Sequence, residues 1–584
     1  MRRKNRRQFL QEACVAITGV ALGPHSLADS RIISLSTRGA AFAGSTARIP
    51  SPGAGDSGSS KLTNTQKMRG LMVDAGRVPE SMDYYRRVIT FCADWELNAL
   101  QFRIADDQGS ALRFASVPDL VTHKNAFTPE QLNKLAEYAQ GHGVDLIPEL
   151  ESFGHTGYIT RSPAYARLLD RDPQGSAEFT GVIPVSPEVH ELFDRLYREV
   201  TAIFPSAYLH GGCDEVNWGG SVLSQKALAS RTRAQIWAEY LNLLDQMATQ
   251  RGKQFIVWGD FVLHKEPEIL GQLNKNIIIM DWDYRENSSA RISETLEKVS
   301  ANGSRGIGAP GLINYTWGPR VGTEQLRNID AFTESYLGES RAASLGVILT
   351  NWVPCRYVQN SIWDGFAYAA VAFREGTATA QTSGFRRFVE KHYQTDWNEI
   401  WDEVFEVIYT DAPCVQDRET ASWMGLPLRT PWSSDEQLAA VLSDRSARRN
   451  PFTRLQSLLI QVEPQVLANL SDFQAFGLCV EYLERLFWRE AVIQEQAASG
   501  PFERETANLL IRGIADRDQA LAESLSKDWD EGRFPDSAGK LEPLFGFEPK
   551  DQLFFQWRQA ANYSASLASS PARFFELLKT AKLV

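Results

Sequence analysis

From Arg69 to about residue 380, short apolar runs alternate with longer amphipathic segments. The runs 71–74, 99–104, 144–150, 207–212, 255–259, 277–282, 312–316 and 346–351 are the expected strands, because short apolar stretches bounded by turn residues suit buried parallel strands. Helices are expected between them. In segment 128–140, Thr128 serves as N-cap, Pro129 takes the first helical position and a glycine stands just past the end. Segment 233–250 carries Ile236, Tyr240, Leu243, Leu244 and Met247 at helical spacing.

Eight strands alternating with helices predict an α/β chain with a (β/α)8 TIM barrel over residues 63–380. Chemistry in that fold sits at the carboxyl ends of the strands. There the sequence places Asp74, Asp106, Glu149, Asp214, Trp258, Asp281, Tyr315 and Trp352. Beyond 380 the strand-like runs cease, and 385–393, 399–408, 454–470 and 473–494 read as helices of a mainly α-helical C-terminal domain, 381–584. Residues 25–62 are rich in Ser, Gly, Ala and Pro and read as a flexible linker.

With 584 residues, 43% of them hydrophobic, the chain is long enough for more than one core. Its formal charge is −11; residues 1–24 carry five basic and one acidic side chain, which leaves −15 on the remainder. That balance argues against nucleic acid or an anionic membrane as partner. No apolar stretch reaches the roughly 20 residues that a spanning helix needs. Five cysteines beyond the N-terminal segment (Cys92, Cys213, Cys355, Cys414, Cys479) are scattered without CxxC spacing, so neither a disulfide framework nor a metal site is expected. Fifteen tryptophans supply aromatic faces of the kind that stack on sugar rings.

The densest chemistry is His210-Gly211-Gly212-Cys213-Asp214-Glu215, an acid pair after a short apolar run and two glycines. Neighbouring residues on a strand point to opposite faces, so one carboxylate is expected on the pocket floor and the other at the reacting atom. That asymmetry suits a hydrolase with one protonating acid and one orienting carboxylate.

The hexapeptide resembles the His-x-Gly-Gly-Asp-Glu signature of family 20 glycoside hydrolases, the β-N-acetylhexosaminidases, and Cys213 is similar to the hexosaminidase D-like branch. Other matches run over roughly residues 69–375. Arg69–Arg77 resembles the opening Arg-Gly-(apolar)3-Asp-x-x-Arg, 98–109 the strand ending in Asp-Asp, and 147–155 the Pro-Glu-x-Asp-x-x-Gly-His stretch. Arg103 replaces the usual histidine, Glu151 the usual aspartate, and Trp352-Val353-Pro354 lacks the glutamate of Trp-x-Glu.

The resemblance implies a substrate-assisted retaining hydrolase of terminal β-linked N-acetylhexosamine that requires no cofactor and acts on a glycan. Glu215, protonated in a partly desolvated pocket, is its general acid and Asp214 orients the 2-acetamido group. Asp106 and His155 stand behind the acid, Arg77 grips sugar hydroxyls, and Trp258, Trp282, Tyr315 and Trp352 enclose the sugar. Two other readings remain open: a hydrolase of the same fold acting on another sugar, and a non-catalytic carbohydrate-binding barrel. Asn5-Arg6-Arg7-Gln8-Phe9-Leu10 resembles a twin-arginine export signal within residues 1–24, which implies a periplasmic or secreted bacterial protein.

Overall fold

Eight parallel strands close on themselves in the computed structural model, which describes residues 66–171, 181–313, 322–338, 342–411, 431–443, 450–533 and 553–583. They are β1 (Met68–Asp74), β2 (Ala99–Asp106), β3 (Asp145–Leu150), β4 (Tyr208–His210), β5 (Gln254–Trp258), β6 (Ile278–Asp281), β7 (Arg305–Gly308) and β8 (Ser344–Asn351). Leu100 pairs with Leu146, Leu209 with Phe255 and Ile279 with Gly306. Closure comes from Leu349 of β8 beside Leu71 of β1, which also pairs with Leu100. A parallel sheet ringed by helices is covered on both faces. Accordingly, every residue of β2 is buried.

The helix signals hold where caps are strong. In helix Pro129–Gly141, Thr128 and Gln131 form a reciprocal capping box, and Thr232 and Gln235 do the same for Arg233–Thr249.

Two strand expectations need correction. The seventh barrel strand is Arg305–Gly308, not 312–316. Gly311–Ile313 instead pairs alongside the end of β8, and residues 314–316 lie outside the described residues. The stretch Arg305-Gly306-Ile307-Gly308 carries no continuous apolar run, and its glycines are required by packing: a Cβ on Gly308 would stand 2.8 Å from the Tyr336 ring. The fourth strand is also shorter than 207–212 and stops at His210.

Beyond β8 the regular structure of the described residues is helical. Helix Thr377–His392 runs across the expected domain boundary at 380. The expected helix 454–470 is Pro451–Val462. A short turn through Pro464 ends it, and Leu470–Ser499 begins after Asn469 in the left-handed region, φ 52°. One hydrophobic core runs from the barrel into these helices through Phe388, Trp401, Phe473, Tyr482, Trp529 and Trp557. A second gathers around Trp432, Phe502, Ile511 and Phe574. No helix among the described residues is long and apolar enough to cross a membrane.

Candidate active site

At the carboxyl mouth of the barrel, β1 ends in Asp74, whose Oδ2 accepts from Nη1 of Arg77 at 3.0 Å and from the backbone N–H of Val353 at 3.1 Å. The other fork nitrogen of Arg77 lies 3.3 Å from Asp106, at the end of β2. Below them, Arg103 is fully buried. It donates to Asp106 through Nε at 2.9 Å, pairs with Glu151 at 2.7 Å and is hydrogen-bonded to Glu149. A buried guanidinium needs this much opposing charge. Burial opposes the charge of Asp106, but Arg77, Arg103 and His155 outweigh it and hold the carboxyl well below its usual range.

The acid pair does not sit on a strand. Beyond His210 the backbone turns through positive φ at Gly212 (66°), Cys213 (74°) and Glu215 (47°). Three contacts fix this turn: Gly212 C=O accepts from Trp258 N–H at 3.0 Å, Cys213 N–H donates to Glu151 at 3.0 Å, and Glu215 N–H donates to Asp260 at 3.2 Å. A Cβ on Gly212 would fall inside the Glu151 carboxylate, so glycine is required on two counts. Opposite-face placement of the two acids is thereby overturned. Both carboxylates face Nε2 of His155, Glu215 at 3.3 Å and Asp214 at 3.7 Å.

The other ring nitrogen of His155, Nδ1, faces Asp106 at 3.3 Å and Asp107 at 3.2 Å. The imidazole thus links two pairs of carboxylates. Its side chain is 3% exposed, whereas that of Glu215 is 20% exposed and reaches the mouth. Burial works against an imidazolium, but the charges of Asp106 and Asp214 and the hydrogen bonds to Asp106 and Asp107 raise His155 well above the usual histidine range. For Glu215, burial pushes the pKa up, yet the His155 hydrogen bond and charge, with Lys265 and Arg77, bring it below the usual carboxylate range. The two shifts, up for His155 and down for Glu215, both favour the charged form of each group.

The tryptophans divide. Trp258 is 2% exposed; its Nε1 donates to Glu149 at 2.9 Å and its ring lies 5.7 Å from that of Trp352, so it forms the floor. The guanidinium of Arg77 stands 5.1 Å from the Trp352 ring, within cation–π range. Trp282 is half-buried and stacks on Tyr284, whose hydroxyl accepts from Nε1 of Trp352 at 2.8 Å. Tyr315 lies outside the described residues.

Four site residues carry no sequence signal strong enough to single them out: Asp107, Asp260, Lys265 and Tyr284. Asp107 was visible only as half of the Asp-Asp pair. Asp260 and Lys265 sit in the short helical turn Asp260–Lys265 after β5, where no periodic pattern marks them. Burial and the charges of Asp214 and Glu215, against the opposing charge of Lys265, bring Asp260 up to about 6. His155 with Asp106 and Asp107, and His155 with Asp214 and Glu215, each place ligand atoms within 4.8 Å of one another, close enough for a cation. Both imidazole nitrogens are already engaged by carboxylates, an arrangement suited to holding a proton.

Carboxylates on both sides of one imidazole, beside indole rings at the mouth of a (β/α)8 barrel, form an arrangement suited to general acid–base chemistry. Residues 67–316 match the glycosyl hydrolase family 20 catalytic domain. The chain is 24% identical over 250 residues to a β-hexosaminidase of Vibrio furnissii, covering 37% of this chain and 40% of that one. To the human β-hexosaminidase β subunit it is 22% identical over 278 residues, covering 45% and 42%. The crystal structure of a GH20 exo-β-N-acetylglucosaminidase from Vibrio harveyi superposes with a TM-score of 0.42 at 19% identity, covering 54% of each chain. The chain spans less than half the length of the curated relatives it matches.

Proposed function

We propose that this protein is a glycoside hydrolase that removes terminal β-linked N-acetylhexosamine by a substrate-assisted, retaining mechanism. The observation that carries this reading is His155, held by Asp106 and Asp107 on one nitrogen and facing Asp214 and Glu215 with the other. A sugar entering the mouth excludes water from Glu215, the more exposed acid, and so favours its neutral form. The proton then passes from His155 to Glu215, which delivers it to the leaving glycosidic oxygen. Asp214 accepts the acetamido N–H, turning the carbonyl oxygen toward the anomeric carbon. Attack by that oxygen closes an oxazolinium-like ring, and Glu215 next removes a proton from the water that opens it. Arg77 offers its planar fork to sugar hydroxyls, and Trp282 and Trp352 supply stacking faces.

A second reading, the same chemistry on another sugar, is favoured by Val353-Pro354 where the family carries a glutamate after Trp352. A panel of chromogenic β-GlcNAc, β-GalNAc and β-glucoside substrates separates the two. Release from the first two alone supports the proposal, equal release from β-glucoside contradicts substrate assistance, and binding without release indicates a non-catalytic barrel. Export by the twin-arginine route is supported by Arg6-Arg7 and their neighbours, which lie outside the described residues. Fusion of residues 1–24 to a reporter that must be exported folded tests it; retention of the reporter in the cytoplasm would end this part of the proposal.

A further inference from the structure

Helix Arg504–Gly532 ends against the catalytic mouth, although the family match stops at residue 316. Directly after it, Arg533 is 6% exposed. Its Nε donates to Glu80 at 3.1 Å, and its Nη2 donates to the backbone carbonyls of Pro354 at 2.7 Å and Tyr357 at 3.3 Å. Glu80 belongs to the loop after β1, three residues beyond Arg77. Pro354 and Tyr357 belong to the loop after β8, which begins with Trp352. One guanidinium thus spans the two loops that carry a sugar-gripping arginine and an indole face. Gln359 completes the junction, donating to Glu80 at 2.7 Å and to the carbonyl of Gly532 at 3.2 Å.

These contacts continue into the catalytic network. Val353 stands at φ 52°, a costly conformation for a β-branched residue that needs outside support. On one side its N–H donates to Asp74, the partner of Arg77. On the other, the carbonyl of the next residue is held by Arg533. The Arg533 fork also stands 4.8 Å from the Trp529 ring and 5.8 Å from the Tyr357 ring, so lysine could reproduce its charge but not its planar contacts.

We propose that Arg533 is a positioning residue through which the helical C-terminal region fixes the sugar-binding loops after β1 and β8. The assignment rests on the proposed function for its kinetic consequence, though not for its structural one. The C-terminal helices are then part of the substrate site's frame rather than a separate module.

Hydrogen exchange without sugar, together with kinetics on a chromogenic β-GlcNAc substrate, tests this in the full chain carrying Arg533→Ala, Arg533→Lys or Glu80→Gln. Loss of hydrogen bonds to a charged group should speed exchange about tenfold in residues 74–80 and 352–360, while helix Arg233–Thr249 is unchanged. KM should rise about tenfold with kcat within about threefold, since sugar contacts are displaced while the acid pair keeps its place. Glu80→Gln retains shape and should show a smaller effect of the same kind; together with Arg533→Lys it decides the question if Arg533→Ala does not fold. Unchanged exchange in both loops, or a uniform increase over the whole barrel, overturns the proposal. A wild-type chain that releases no chromophore would defeat the reading as a β-GlcNAc hydrolase, and the exchange pattern would still decide the role of Arg533.

Discussion

Glu215 Oε2 stands 3.3 Å from Nε2 of His155, with the imidazole raised and the carboxyl lowered from their ordinary ranges. Two titratable groups this close titrate as a pair rather than singly. On the proposed mechanism His155 would resupply the proton that Glu215 delivers, with Nδ1 facing Asp106 and Asp107.

Glu215→Gln removes the proton donor while keeping its shape. Hydrolysis of β-GlcNAc substrates is expected to fall by about 10²–10⁴-fold, the usual worth of a general acid. The loss should be smallest for substrates whose leaving group departs without protonation. Steady-state kinetics across leaving groups of graded acidity checks this, and an equal loss for all of them would remove Glu215 from the role.

His155→Asn should reshape the pH profile more than its maximum. In the native protein the last proton of the pair leaves above the ordinary histidine value of 6.5, so the alkaline limb lies above that pH. Without the imidazolium, Glu215 must hold the proton alone, and the limb moves to lower pH. Stability follows the same sign. The folded protein binds the His155 proton more tightly than the unfolded chain, so its contribution is complete below 6.5 and is lost as pH rises through the folded value. Thermal melts from about pH 6 to 9 should therefore decline less steeply in the variant, and parallel curves would contradict the proton assignment.

Asp214→Asn tests whether the substrate supplies its own nucleophile. The side chain is 9% exposed and shares Nε2 of His155 with Glu215, so it stands beside the acid rather than across the bond from it. Loss of activity on 2-acetamido sugars should approach that of Glu215→Gln, and azide should rescue neither variant through a trapped glycosyl-enzyme. Mass spectrometry that finds a sugar covalently bound to either acid would replace the acetamido group as nucleophile.

Much of the barrel was legible because parallel strands buried on both faces are continuous apolar runs. β7 was not, since its glycines make room for Tyr336 and leave no such run. The acid pair stood out after its apolar run and two glycines, and His155 through the resemblance of 147–155 to the family stretch. Their proton arrangement depends on Asp107 and on the contacts of a turn with positive φ at Gly212, Cys213 and Glu215, which no alternation rule anticipates. Arg533 was beyond reach for a different reason: its carboxylate partner is 453 residues away.

Gly212 stands at φ 66°, which already disfavours a side chain, and its missing Cβ leaves the space that the Glu151 carboxylate fills. Gly212→Ala should cost about 1–2 kcal/mol from the backbone conformation alone. The clash adds to this by pushing Glu151 away from the Cys213 N–H that it anchors at 3.0 Å, and so tilting Asp214 and Glu215 off His155. Glu151→Asp withdraws that carboxylate by one methylene, giving the residue the family itself uses at this position. If the obstruction is the carboxylate, the double variant should recover part of both the melting temperature and kcat lost in Gly212→Ala, with a coupling of about 0.5–3 kcal/mol between the sites. Strictly additive losses in the double-mutant cycle would mean that backbone conformation alone demands the glycine, and that Glu151 does not set the angle at which the acid pair meets the histidine.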